Sequence, residues 1–160
     1  MKNLENKEIL SDEIFNAIEI IVSKIPSVVF GGSIALNAIG LINRKISDID
    51  LFFHLGSSLS NNGFLSVSTH ITSDTVTDVN GIEVHRTGAK INNVKCCCFK
   101  VEDAGLDYSI HSFSRNGKEI KIRIQNVNYA IQAKISYMKN SNNEKHKKDL
   151  KNINNILYYF

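Results

Sequence analysis

The chain has no tryptophan, two methionines and one proline in 160 residues. A single proline excludes proline-rich linkers and polyproline or collagen-like architecture. Three cysteines are too few for a disulfide scaffold, and they are consecutive, Cys96 to Cys98 in "VKCCCFKV". Neighbours on a strand point to opposite faces, so this run suits neither a disulfide framework nor a metal site with loop spacing. Small buried residues of a reduced strand are expected there. No apolar run is long enough to cross a bilayer, and "MKNLENKEILSDEIF" is polar where a signal peptide needs an apolar core. A cytoplasmic location without a membrane partner is the expectation. The five histidines lack ligand spacing, so no zinc site is expected. There is no G-x-S-x-G elbow for Ser33, no Walker lysine and no third glycine of a dinucleotide-binding turn.

What is present is ordinary globular material: 42% hydrophobic residues, 22% charged residues and a net charge of +3. That length and composition fit one domain over residues 1–160. Ser11 can cap a helix whose first turn holds Asp12 and Glu13, with Ile14, Ile18, Ile21, Val22 and Ile25 at helical spacing up to Pro26. Val28 to Phe30 reads as a strand stopped by Gly31-Gly32. Ser33 opens an apolar helix to Ile42, and Asp48 to His54 is the next strand. Phe64 to Val79 fits no single period. Ile82 to Arg86, Val94 to Val101 and Leu106 to Phe113 read as strands, the last paired with Lys118 to Ile124 through the turn "SRNG". Helices over Val127 to Lys139 and Glu144 to Tyr158 close the chain. The fold class expected is α+β, a mixed β-sheet flanked by helices, with the C-terminal helices starting at about residue 127.

The informative stretch is "VVFGGSIALNAIGLINRKISDIDLFFH", residues 28–54. On a strand, Asp48 and Asp50 share one face while Ile49 and Leu51 share the other. Two carboxylates brought together repel unless a cation lies between them, and hard oxygen ligands suit magnesium bound with substrate phosphates. A plain strand end is the alternative. Gly31 and Gly32 allow close backbone approach to a ligand, and Ser33 begins a helix whose free N–H groups favour an anion.

In the order strand, Gly31-Gly32-Ser33, helix, Asp48-Ile49-Asp50, the chain resembles the nucleotidyltransferase superfamily. That superfamily includes DNA polymerase beta, the aminoglycoside nucleotidyltransferases and the minimal enzymes of toxin–antitoxin and abortive-infection systems. "NRKISDIDLFF" is similar to the basic residue and serine that lead into the acid pair in the abortive-infection branch, with Ser47 one place closer to the acid. The resemblance implies a nucleotidyltransferase fold and two magnesium ions. It implies a third carboxylate on a strand beside the first two. Asp107 is the choice, with Glu83 in reserve and a strand-edge aspartate as the alternative. It also implies a nucleotide-contacting lysine, matched by Lys134 in "YAIQAKISYMKN", whose position on the apolar helix face demands a partner unless its stem packs and its ammonium reaches solvent. "KHKKDLKNI" resembles the "KDL" helix of the same branch, with Asn152 where an acid is common. Lys145, Lys147, Lys148 and Lys151 read as a solvated face or as contacts for RNA phosphates. His111 shares a strand face with Asp107 and reads as structural.

The expected activity is transfer of a nucleoside monophosphate from a nucleoside triphosphate to a hydroxyl of tRNA, protein or a small molecule, releasing pyrophosphate. Asp48, Asp50 and Asp107 would hold metal, with Asp107 the general base, while Gly31, Gly32, Ser33 and Lys134 would bind nucleotide. A partner chain or homodimer would fit the short chain. The rival expectation is an inert binding module of the same fold, an RNA-binding or antitoxin-like partner.

Overall fold

Ser11 does cap the first long helix: its hydroxyl accepts from the Ile14 amide, and the helix runs Asp12–Lys24 with Asp12 and Glu13 in its first turn. In the computed structural model, which describes residues 2–77, 83–139 and 144–158, this helix is α2, preceded by a single turn, α1 (Lys2–Glu5). The strand β1 (Val29–Gly31) leads into α3 (Gly32–Ala38), and β2 (Asp48–His54) follows. The helix α3 ends earlier than its apolar run suggests. Gly40 takes φ 81°, its amide bonds Asn37, and the Leu41 amide reaches back to the Leu36 carbonyl at 2.9 Å. This is a glycine-terminated helix end in which two orphan carbonyls are satisfied.

The unassigned stretch resolves into a one-turn helix, α4 (Phe64–Val67), and a strand, β3 (Thr69–Thr77). The remainder of that stretch, and the expected strand start at Ile82, lie outside the described residues. The strand β4 (Glu83–Ile91) runs longer than expected, and β5 is Val94–Val101. A 3₁₀ turn, Asp103–Leu106, replaces the expected start of the next strand, so β6 is Tyr108–Arg115. Asn116 and Gly117, both at positive φ, turn it into β7 (Lys118–Gln125). Helices α5 (Val127–Lys139) and α6 (Glu144–Tyr158) complete the chain.

The protein is mixed α+β, with one seven-stranded sheet in the order β3-β4-β5-β2-β1-β7-β6. Pairing is parallel for β2 with β5 and β1 with β7, and antiparallel elsewhere. The short strand β1 sits between β2 and β7, where the all-apolar Val29 and Phe30 are buried on both faces. One face carries Phe30, Ile49, Leu51, Phe53, Cys96, Cys98, Ile122 and Ile124 into the main core with α2 and α3. The other carries Val29, Phe52, Val84, Cys97, Phe99 and Val101, covered in part by Leu106 and Tyr129. All three cysteines are buried and unbonded, as a reduced strand requires.

The alternation of β2 fixes the sidedness of everything that follows. Ile49 and Leu51 are fully buried, each worth about 1.5–3 kcal/mol, so the register that points Asp48 and Asp50 to the second face is strongly held. Because a Cβ on Gly40 would meet nothing within 4 Å, Gly40→Ala carries only the left-handed backbone penalty. It should destabilise by about 1–2 kcal/mol in equilibrium denaturation, without altering the helix or the sheet.

Candidate functional site

Asp48 and Asp50 lie at the start of β2, on the second sheet face. Opposite them on β1 is Gly31, and on β5 are Lys95 (facing Asp48) and Cys97 (facing Asp50). Gly32, at φ 55°, is pressed against Asp50 so closely that a Cβ there would run into the carboxylate. Gly31 is equally constrained: a Cβ would meet the Phe52 ring and, at 2.7 Å, the Gln125 Oε1. Both glycines are thus required by contact, and only Gly32 by backbone conformation as well.

The Asp50 carboxyl is raised to about 7, chiefly by burial and next by the charge of Asp48, against the pull of Lys134, Lys145 and Lys95. Its charge is therefore under-compensated although three ammonium groups act on it. Asp48 is less enclosed, with Lys145 Nζ at 3.7 Å from its Oδ1. Lys145 also donates to Ser47 Oγ at 2.9 Å.

Lys134 has the partner its position demanded. Its Nζ lies 2.7 Å from Asp149 Oδ2, and Asp149, fully buried on α6, also accepts both Arg44 Nε and Nη2 at 2.6 Å. Burial alone would raise the Asp149 carboxyl, but the bonds from Arg44 and Lys134 outweigh it and hold the group below its ordinary value. Burial lowers Lys134, offset by Asp149 and, farther off, by Asp50. The ammonium of Lys134 is therefore held beside the acid pair by a group that is itself clamped. Arg44, Lys145 and Asp149 are site residues that the sequence reading did not select. The "KDL" run and the basic residue ahead of the acid pair were the signals, but their link spans 105 positions and appears only once α6 is docked.

Asp107 is not brought to this pair. It follows the 3₁₀ turn, its carbonyl accepts from Asn126, and it leads into β6, the far edge strand. Between β6 and β2 stand β7 and β1, three strand spacings or about 14 Å. The expectation rests on Leu106, Tyr108 and Ile110 forming one apolar face; Leu106 packs against the second cluster, but Tyr108 and Ile110 are exposed, Ile110 at 63%. Asp107 thus stands at the start of an edge strand and away from the acid pair. On the strand that does lie beside β2, the position facing Asp50 is Cys97, whose thiol burial pushes up to about 11. Glu83 opens β4, and its side chain lies outside the described residues. His111 bonds Ser109 on the exposed edge.

Ser33 is buried and its hydroxyl has no hydrogen-bond partner, an orphan donor at the first turn of α3. The helix α3 has only seven residues, so it presents a few amides rather than a large dipole. Among the described residues no three His, Cys, Asp or Glu side chains form a protein-only metal cage. Two carboxylates on one strand face are the hard oxygen ligands that suit magnesium, which keeps waters and phosphate ligands.

Comparison of the chain with family models, with curated proteins and with solved structures returns no match in any of the three. The site is therefore read from its own chemistry.

The two acids should respond in opposite directions to the same change. Asp50 has a folded-state value above its unfolded one, so its contribution is intact below about pH 4 and is lost as pH rises through 7. Asp50→Asn should accordingly stabilise the protein at pH 8 by a few kcal/mol, at most about 4, and change little at pH 4. Asp149→Asn should destabilise it by about 3–5 kcal/mol near neutrality, because Lys134 and Arg44 lose their shared counter-charge. Urea denaturation of both variants at pH 4 and 8 checks the pair of signs.

Proposed function

We propose that the chain is a nucleotidyltransferase-type domain whose Asp48 and Asp50 hold one magnesium ion together with the phosphates of a nucleoside triphosphate. One observation carries this reading: a strand whose opposite face is locked in the core points two acids to the same side, beside a glycine whose backbone lies against the Asp50 carboxylate where no side chain would fit. The raised carboxyl of Asp50 supports it, since the lysines around the pair leave its charge under-compensated and a divalent ion would offset the remainder. When bound, magnesium would neutralise charge on the triphosphate and its leaving group.

The remaining groups act on the phosphates. Lys134, fixed by Asp149, supplies a positive charge of defined position, and Lys95 and Lys145 extend that positive rim. Ser33 offers its unpartnered hydroxyl. These charges would supply electrostatic stabilisation of the phosphates, a large part of what phosphoryl transfer asks of a protein. Asp107 has no part in this scheme, and Cys97, which stays protonated near neutrality, does not replace it as a base.

That last point favours a second reading, an inert binding module of the same fold that holds metal and nucleotide without turnover. Incubation with each α-labelled nucleoside triphosphate, magnesium, a tRNA pool and total cell protein separates the two. Transferase activity predicts label on an acceptor in the wild type and at least a hundredfold less with Asp48→Asn or Asp50→Asn. Metal-dependent nucleotide binding with no label on any acceptor would establish the inert module instead.

A further inference from the structure

Lys145 stands where a bare cation would have to bind. Its ammonium lies 3.7 Å from Asp48 Oδ1 and donates to Ser47 Oγ at 2.9 Å, while its charge also acts on Asp50. Both partners are only partly exposed, 30% for the Lys145 side chain and 27% for that of Asp48, so solvent does not fully screen the contact. Lys145 belongs to the second position of α6, and α6 is anchored by the buried Asp149 one turn further on. The ammonium is thus delivered to the acid pair by a fixed helix, on a side chain long and flexible enough to leave it.

We infer that Lys145 is a resident counter-ion which makes metal loading depend on the triphosphate. A divalent ion arriving alone at Asp48 faces a like charge within a few ångströms and must displace it. A divalent ion arriving with a triphosphate brings several negative charges, so the ammonium moves from Asp48 to a phosphate oxygen and remains paired. Lys145 therefore opposes the bare ion and favours the metal–triphosphate complex. By linkage, the same residue raises the affinity of each ligand in the presence of the other. Lys134 does not share this role, because its ammonium is bound at 2.7 Å to Asp149, a buried carboxylate that Arg44 also grips. Ser47 gives Lys145 its resting place, so the residue just ahead of the acid pair helps set the selectivity. The inference rests on the proposed metal site at Asp48 and Asp50.

The test uses Mn²⁺ alone and then inorganic tripolyphosphate at saturating Mn²⁺, by calorimetry on the full chain, so that no choice of nucleobase enters. Lys145→Gln should bind Mn²⁺ alone roughly tenfold more tightly than the wild type and tripolyphosphate roughly tenfold less tightly, the scale usual for coupled sites. Lys145→Arg should keep wild-type behaviour. Ser47→Ala should shift both affinities in the direction of Lys145→Gln and serves if that variant does not fold. If Mn²⁺ binding is abolished by Asp48→Asn in every background yet unchanged by Lys145→Gln, the counter-ion role is overturned and the metal site stands. If no Mn²⁺ binding depends on Asp48, the metal site itself is overturned, and the role of Lys145 with it.

Discussion

The structure turns on an unfavourable charge. Asp50 is placed where burial and Asp48 both oppose its ionisation, and the placement is enforced from the other side of the same strand by Ile49 and Leu51. A one-residue slip would exchange these faces and bury both acids in the main core, which is why the register is secure. Stability alone gives no reason to keep a carboxylate there, and strained or under-compensated groups concentrate at functional sites.

Around that centre the chain arranges cations in two ways. Lys134 is immobilised through Asp149, which Arg44 grips with two hydrogen bonds from the loop ahead of β2. Lys145 lies at a longer distance from its carboxylate, 3.7 Å from Asp48 Oδ1, and donates to the Ser47 hydroxyl. A clamped charge gives a phosphate a fixed reference point, whereas a charge at longer range can move when a better partner arrives. The C-terminal helix carries Asp149 and Lys145 together, so its docking onto α5 is a condition for the site as well as for the core, where Ile153 is fully buried.

Local signals made much of this legible. The β2 alternation, the glycine turn, the Ser11 cap and both C-terminal helices follow from short-range pattern, because side-chain period and capping chemistry are local properties. One local signal was overridden by the apolar run around it, and two things were not local. The end of α3 at Ala38 depends on Gly40 adopting φ 81°, although the apolar run continues beyond it. The sheet order places β6 at the edge, so the apolar alternation of Tyr108 and Ile110 faces solvent and Asp107 is carried away from the acid pair. The clamp on Lys134 joins residues about a hundred positions apart; a lysine on an apolar helix face announces that a partner exists but not which one. The "KDL" run contains Asp149 without marking it out, and only packing reveals what it holds.

The account stands most directly on the ionisation of one side chain. Carbon-detected NMR titration of the Asp50 carboxyl, with and without magnesium, reads it without reference to activity. The account predicts a midpoint near 7 in the absence of metal and a fall of more than one pH unit at saturating magnesium. A midpoint near 4, or one near 7 that magnesium does not move, would contradict it.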